Sequence, residues 1–237
     1  MPKASDSQPK IEAAFFDVDN TLVRGSVSIL FGKVAFAGGA IKRRDIWRFM
    51  FEQMMFIRRG EKSNTLSSFK DRALALTKGK SVVELENLID KVYASDIKPR
   101  LWPDMVAAVK YHLQEGREVW LVTAAPIDLA QAIADDLGIT GALGTIVGHK
   151  DGYLTGELVG EPLHGKAKRH AVKKLARERN ISLKRSYAYS DSVNDLPMLT
   201  LVKHAVAVNP DKVLKRYAEA AGWKIMTFKK RDLKKNK

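Results

Sequence analysis

Cysteine is absent from this 237-residue chain. That excludes a disulfide framework, thiol catalysis and cysteine-ligated zinc sites, but it does not identify the compartment. No apolar run approaches the length needed to span a bilayer. The stretch Met1 to Lys10 is polar, contains two prolines and lacks the apolar core of a signal peptide, so a cytoplasmic location is expected. Histidine is scarce, with five in all, and none shows metal-ligand spacing. His149, His164 and His170 receive no role. Acidic residues are also short relative to basic ones, 27 against 41, leaving a net charge of +14. Such an excess favours anionic partners such as phosphorylated metabolites, acidic lipid surfaces or nucleic acid, although a solvated basic surface is the competing explanation. Part of the charge lies in Lys229 to Lys237, expected to be a mobile tail like residues 1–10, and part lies between Lys33 and Arg100.

What is present is an alternating pattern. The hydrophobic fraction, 45%, is ordinary for a globular protein. Ala13 to Phe16 is a short apolar run that ends in Asp17-Val18-Asp19-Asn20-Thr21, as a buried parallel strand followed by a polar turn would. From Val27 to Lys98 no buried strand is legible. Apolar residues instead recur at helical spacing, for example Ile46, Trp47, Met50, Met54 and Ile57, then Val82, Leu85, Leu88, Ile89 and Val92. Four helices are expected in this insert. Pro99 and Pro103 mark the return to alternation. Strands are predicted over residues 118–123, 144–147, 186–190, 205–208 and 224–226. Helices are predicted over 104–115, 127–137, 166–179, 196–201 and 212–221, and a hairpin-like segment follows Asp151-Gly152. The expected fold is therefore α/β, a Rossmann-like doubly wound and mostly parallel sheet formed by residues 1–26 and 99–237, with residues 27–98 inserted after the first strand as a helical cap.

Polar groups collect at four strand ends or helix starts. They are Asp17-x-Asp19-x-Thr21; Thr123-Ala124-Ala125-Pro126; the lysines Lys166 and Lys168; and Ser190-Asp191-Ser192-Val193-Asn194-Asp195. Each alone has a bland reading, since Asp, Ser and Thr commonly cap helices and fill turns. Together and in this order they match the needs of phosphoryl transfer. A carboxylate attacks phosphorus, a second delivers a proton to the leaving oxygen, carboxylate-held magnesium and a lysine neutralise the phosphoryl oxygens, and a hydroxyl with backbone amides orients the group.

This order of motifs resembles the haloacid dehalogenase (HAD) superfamily. The text YSDSVNDLPML, followed by AVAVNPD and a late Gly-Trp, is similar to its subfamily IB of phosphoserine-phosphatase-like hydrolases. The resemblance runs from Ala13 to Met226. It implies a magnesium-dependent phosphatase acting on a small phosphorylated metabolite through an aspartyl-phosphate. Asp17 would be the nucleophile and Asp19 the general acid and base. Thr123, with Ala124, would bind phosphate, and Asn194 would touch it. Asp191 would join Asp17 and the Asp19 backbone carbonyl around Mg2+, and Asp195 would orient the lysine or the metal shell. Of the two lysines, Lys168 is favoured, because Val172 and Leu175 lie four and seven residues beyond it and continue one helix face.

The resemblance has gaps. Phosphoserine phosphatases of this type carry a glutamate nine residues after the nucleophile to read the substrate amine, and here that position is Ser26. They tend to have Ser-Gly-Gly where this chain has Thr123-Ala124-Ala125. A different phosphomonoester is therefore expected, selected by Arg24, Ser26 and the cap. A phosphotransferase using the same intermediate is the alternative enzyme. The segment from Ile46 to Arg59 is apolar and flanked by cations, which makes an anionic membrane surface a candidate partner of the basic cap or tail; packing over the site is its ordinary explanation. A basic HAD-like binding protein is the non-enzymatic alternative, and nucleic acid is not an expected partner.

Overall fold

The computed structural model describes residues 10–37 and 77–234. Seven strands form one sheet in the order β4-β3-β2-β1-β5-β6-β7. They are β1 (Ala13–Phe16), β2 (Glu118–Pro126), β3 (Gly141–Lys150), β4 (Tyr153–Val159), β5 (Tyr187–Ser190), β6 (His204–Val208) and β7 (Lys224–Met226). Every neighbouring pair is parallel except β3 with β4. The helices are α1 (Val27–Ala37), α2 (Val82–Val92), α3 (Pro103–Gln114), α4 (Ile127–Leu137), α5 (Lys166–Glu178), α6 (Leu196–Leu199) and α7 (Lys212–Ala220). The doubly wound α/β fold read from the sequence is thus the observed one. Two strands are longer than the pattern indicated: β2 continues to Pro126 and β3 runs from Gly141 to Lys150. Among the described residues no helix is long and apolar enough to cross a membrane.

The alternation in β1 explains its central position. Ala14 and Phe16 enter one apolar cluster with Met105 and Val109 of α3 and Leu129 and Ile133 of α4. Ala13 and Phe15 enter the other, with Val172 and Leu175 of α5 and Leu214 of α7. A strand apolar on both faces is stable only with helices on both sides. Chain connections leave β1 toward β2 on one side, and β5 sits on the other. This is the switch point at which open α/β sheets form a ligand crevice beyond their strand ends.

Residues 22–24 and 100–102 cross beside that crevice. Val23 bridges Leu101, Arg24 N donates to Arg100 O at 2.8 Å, and Trp102 N donates to Leu22 O at 3.0 Å. The segment between them therefore leaves and re-enters the core at one place. Its described parts, α1 and residues 77–98, are mainly helical. The apolar segment from Ile46 to Arg59 lies outside the described residues. Lys230–Lys234, within the stretch expected to be a mobile tail, forms a 3-10 turn, and Leu233 packs against the core. Residues 1–9 and 235–237 lie outside the described residues.

On the face of the sheet covered by α3 and α4 the core is aromatic. Phe16 and Tyr189 stack with ring centroids 4.2 Å apart and planes 2° from parallel, one residue before Asp17 and Ser190. Behind them His112, fully buried, has Nε2 2.8 Å from the Tyr189 hydroxyl and Nδ1 3.4 Å from Arg117. Arginine can only donate, so Nδ1 accepts and Nε2 carries the proton toward Tyr189. Burial first and Arg117 second depress the His112 pKa to about 4. The unfolded chain takes up this proton at about 6.5, so stability falls as pH drops from 6.5 toward 4. The expected loss is on the order of 3 kcal/mol. The melting temperature of the wild type relative to that of His112→Gln, which keeps a donor toward Tyr189, should fall as pH is lowered from 6.5 toward 4.

Candidate active site

Three chain segments far apart in sequence meet at the carboxyl ends of β1 and β5. Asp17 follows β1, is buried, and has its backbone N–H held by Tyr189 O at 2.9 Å. Lys168 lies in the first turn of α5. On that strongly basic helix the buried positions are Lys168, Val172, Leu175 and Ala176, so the lysine occupies the apolar stripe itself. Its side chain is 3% exposed, and Lys166 is on the surface. Lys168 Nζ donates to Asp17 Oδ1 at 2.5 Å and to Asp195 Oδ2 at 2.6 Å. Asp195 closes a 3-10 turn, Val193–Asp195, and also accepts from the Ser190 hydroxyl at 2.8 Å. The Thr21 hydroxyl donates to Asp17 Oδ2 at 3.0 Å. Thr21 and Ser190 stood in the motifs but received no role from them. A hydroxyl four or five residues from a carboxylate gains a partner only once the turn geometry is known.

The remaining expected residues surround this centre. Asp19 Oδ1 accepts from Val27 N, the first residue of α1, at 3.0 Å, which places this carboxylate at a helix N-terminus where negative charge is favoured. Ser26 is half-buried, and its carbonyl receives Leu30 N at 3.0 Å as α1 begins. Thr123 is buried, and its Oγ1 accepts from Ala125 N at 3.1 Å. The pairing of β2 with β3 shifts between Val122 and Pro126. Residues 123–125 thereby leave that ladder beside Asp17, although the strand does not end at Thr123 as expected. The Ala124 carbonyl receives the Thr145 hydroxyl at 2.8 Å, which fixes the irregularity. Asn194 is exposed, its backbone N–H bonded to the Ser192 hydroxyl at 3.2 Å. Asp191 is half-buried, and its carbonyl accepts from Asp211 N at 2.8 Å. Asp211 in turn braces the loop by accepting from Val193 N at 2.7 Å.

The electrostatics are those of a site short of positive charge. Burial raises the Asp17 pKa to about 6, against the pull of Lys168, with Asp195 and Asp19 adding to the rise. Burial, then Asp17 and Asp195, raises Asp191 to about 7. Burial lowers the Lys168 pKa, but the two aspartates outweigh it and the net shift is upward. One ammonium thus faces three carboxylates. The uncompensated groups are hard oxygen donors, suited to a divalent cation such as magnesium. Among the described residues no group of three or more His, Asp or Glu side chains forms a ready cage.

Comparison with known proteins gives this arrangement its relatives. A family model of haloacid dehalogenase-like hydrolases matches residues 14–200. The chain is 47% identical over 229 residues to phosphoserine phosphatase SerB1 of Mycobacterium tuberculosis, covering 95% of this chain and 74% of that protein. It is 32% identical over 216 residues to a probable phosphatase, Rv3661, of the same organism, covering 91% and 75% of the two chains. A protein of unknown function from Bordetella pertussis superposes with a TM-score of 0.80 at 28% identity, covering 92% of this chain and 99% of that one. A substrate-bound phosphoserine phosphatase has the same fold, with a TM-score of 0.63 at 24% identity over 95% and 96% of the two chains.

The buried lysine yields a direct test. Removing one partner of a buried charge cluster leaves the others uncompensated, typically at a cost of roughly 3–5 kcal/mol. Lys168→Met should lose about that much stability at pH 7 in urea unfolding. Its carboxylates then titrate above their unfolded values, so the loss should shrink as pH is lowered toward 5. A deficit that does not change with pH would contradict the charge explanation.

Proposed function

Since this chain belongs to the haloacid dehalogenase-like hydrolases, in their phosphoserine-phosphatase-like branch, we propose that it hydrolyses a small phosphomonoester through a phosphorylated Asp17, with Mg2+ as cofactor. The observation that carries the reading is Lys168, buried between Asp17 and Asp195. A lysine placed there keeps Asp17 close to positive charge in a crevice that otherwise favours its neutral form.

In this reading Asp17 attacks phosphorus and the bond from phosphorus to the leaving oxygen breaks. Asp19 gives that oxygen its proton. Asp19, now a carboxylate, accepts a proton from water as the water oxygen attacks the same phosphorus, and phosphate departs from Asp17. The Val27 amide keeps Asp19 oriented through both halves. The Thr123 hydroxyl accepts from Ala125 N and so keeps its own proton available for a phosphoryl oxygen. Lys168 balances charge at Asp17, and Asp195, itself held by Ser190, fixes the lysine. Asp17, Asp191 and the Asp19 carbonyl would hold the magnesium, which supplies Lewis-acid neutralisation of phosphoryl charge when bound. The insert between Val27 and Lys98 is read as a cap domain, and Ser26 contributes to substrate choice where α1 begins. Phosphoserine is named for the relative SerB1. The serine at position 26 in place of an amine-reading acid argues for a different leaving group in this chain.

Phosphate release from a panel of phosphomonoesters should require Mg2+ and stop when the metal is chelated. Asp17→Asn should be inactive. Asp19→Asn should retain the fold and lose about 10²–10⁴-fold in kcat, the usual contribution of a positioned acid and base. Wild-type turnover by Asp17→Asn would remove the nucleophile assignment.

A further inference from the structure

The two sides of the sheet present opposite charge to solvent. On one side α2, α3 and α4 expose Glu84, Glu86, Asp90, Asp104, Asp128 and Asp135. Against these the same three helices carry two cations, Lys91 and Lys110. On the other side α5, α6 and α7 pack over Phe15 and Ala188 and turn cations outward. The exposed positions of α5, opposite its buried stripe, include Lys166, His170, Lys173, Lys174 and Arg177. To these α7 adds Lys212, Lys215 and Arg216.

The acids on this basic side are already taken. Those of the three helices are Glu178 and Glu219, and each lies near a lysine of its own helix, Lys174 at 3.8 Å and Lys215 at 3.9 Å. Among the described residues Lys166, Lys173, Arg177, Lys212 and Arg216 have no acidic partner. The same side exposes apolar groups. Val213 is 58% and Tyr217 40% exposed, one turn apart on α7 and beside Lys212 and Arg216. The Tyr217 ring lies against Trp223, with centroids 5.1 Å apart. Unpaired cations interleaved with exposed apolar side chains suit the interfacial layer of an anionic membrane. Its headgroups accept the cations, and its acyl boundary accepts the apolar and aromatic groups. Nucleic acid would use the cations but give Val213 nothing to contact. A second copy could use them only by laying this side on the acidic one, a head-to-tail contact.

We propose that the face formed by α5, α6 and α7 docks on an anionic lipid surface, with Val213 and Tyr217 at the acyl boundary and the surrounding cations among the headgroups. The unequal charge of the two sides orients the molecule, because the acidic helices α2, α3 and α4 are repelled toward solvent. The docked face also adjoins the crevice. Lys168, in the first turn of α5, meets Asp17. Asp211, which caps α7, also receives Val193 N from the loop that carries Asp195. A lipid surface lying along these helices therefore runs beside the crevice. The contact is carried by the helices and not by Lys229 to Lys237, and it does not depend on the phosphatase reading.

Cosedimentation of the full chain with vesicles of phosphatidylcholine, alone or mixed with phosphatidylglycerol, tests this. Binding should require phosphatidylglycerol and weaken as salt is added. In Lys173→Gln/Arg177→Gln and in Lys212→Gln/Arg216→Gln the partition coefficient should fall about fivefold for each cation removed. Lys91→Gln/Lys110→Gln removes the same charge from the acidic side and should change it by less than about twofold. Val213→Ser leaves the charge as it is and should lower binding about threefold. Asp17→Asn should bind as the wild type does. The proposal fails if phosphatidylglycerol has no effect, or if the Lys91/Lys110 variant loses as much as the α5 variant. Tighter binding to a DNA duplex, indifferent to Val213→Ser, would make the face a nucleic-acid surface and overturn the lipid assignment. Salt-sensitive oligomers in light scattering that disappear in the α5 variant would make the occupant a second copy and overturn it equally.

Discussion

One ammonium group, that of Lys168, joins the three parts of the chain that make the site. It lies inside the apolar stripe of α5 and touches Asp17 after β1 and Asp195 after β5. A lone cation could not be buried there, and neither could the two carboxylates without it. The helix can therefore pack on the sheet only if both aspartates are in place, and the aspartates can be buried only if the helix is. Packing and charge compensation depend on each other. The same dependence puts an acid beside a cation in a buried crevice.

Around this pair the backbone makes small departures from regularity, each beside a reacting position. β2 slips out of register with β3 over residues 123–125. Asn20 adopts a positive φ of 57° just after Asp19, which turns the chain so that α1 begins against the Asp19 carboxylate. Residues 22–24 and 100–102 cross there, bringing Arg24 and Trp102 to the wall of a cavity that Asp191 also lines. The sheet supplies rigidity, and these deviations decide which groups face the crevice.

Much of this could be read from residue order. The alternation in Ala13 to Phe16 and the spacing of Lys168, Val172 and Leu175 each report burial of a face, and burial leaves a periodic trace. The Asp17, Asp19, Asp191 and Asp195 cluster was visible because carboxylates at successive strand ends have a chemical rationale. The wall formed by Trp102, Asn209, Phe228 and Lys230 was not visible. Trp102 follows Leu101 as an ordinary apolar residue before a helix, and its ring meets Phe228 where the chain crosses itself at Leu22. Lys230 stood within a run of lysines, whose repetition suggested a solvated tail. A hydrogen bond from Phe228 N to Asn209 and the packing of Leu233 against the core hold that segment to the domain, and neither contact has a local signature. The continuation of β2 to Pro126 was hidden for a related reason. Thr123-Ala124-Ala125-Pro126 reads as a strand-to-helix junction, and its extended path is held by Thr145 across the sheet.

The place of β1 also has a consequence for how the chain is made. The strand is synthesised first among the sheet elements, yet it lies between β2 and β5. Its pairing with β5 cannot form until Tyr187–Ser190 has left the ribosome, and Phe16 lacks the Tyr189 ring until then. Through most of translation the nascent protein thus carries an unpaired strand edge of uninterrupted apolar residues, Ala13 to Phe16, of the kind that recruits other chains. A product truncated before β5 retains the Asp17 motif but lacks the strand that covers the open edge of β1. For such fragments the relevant outcome is capture by chaperones or aggregation.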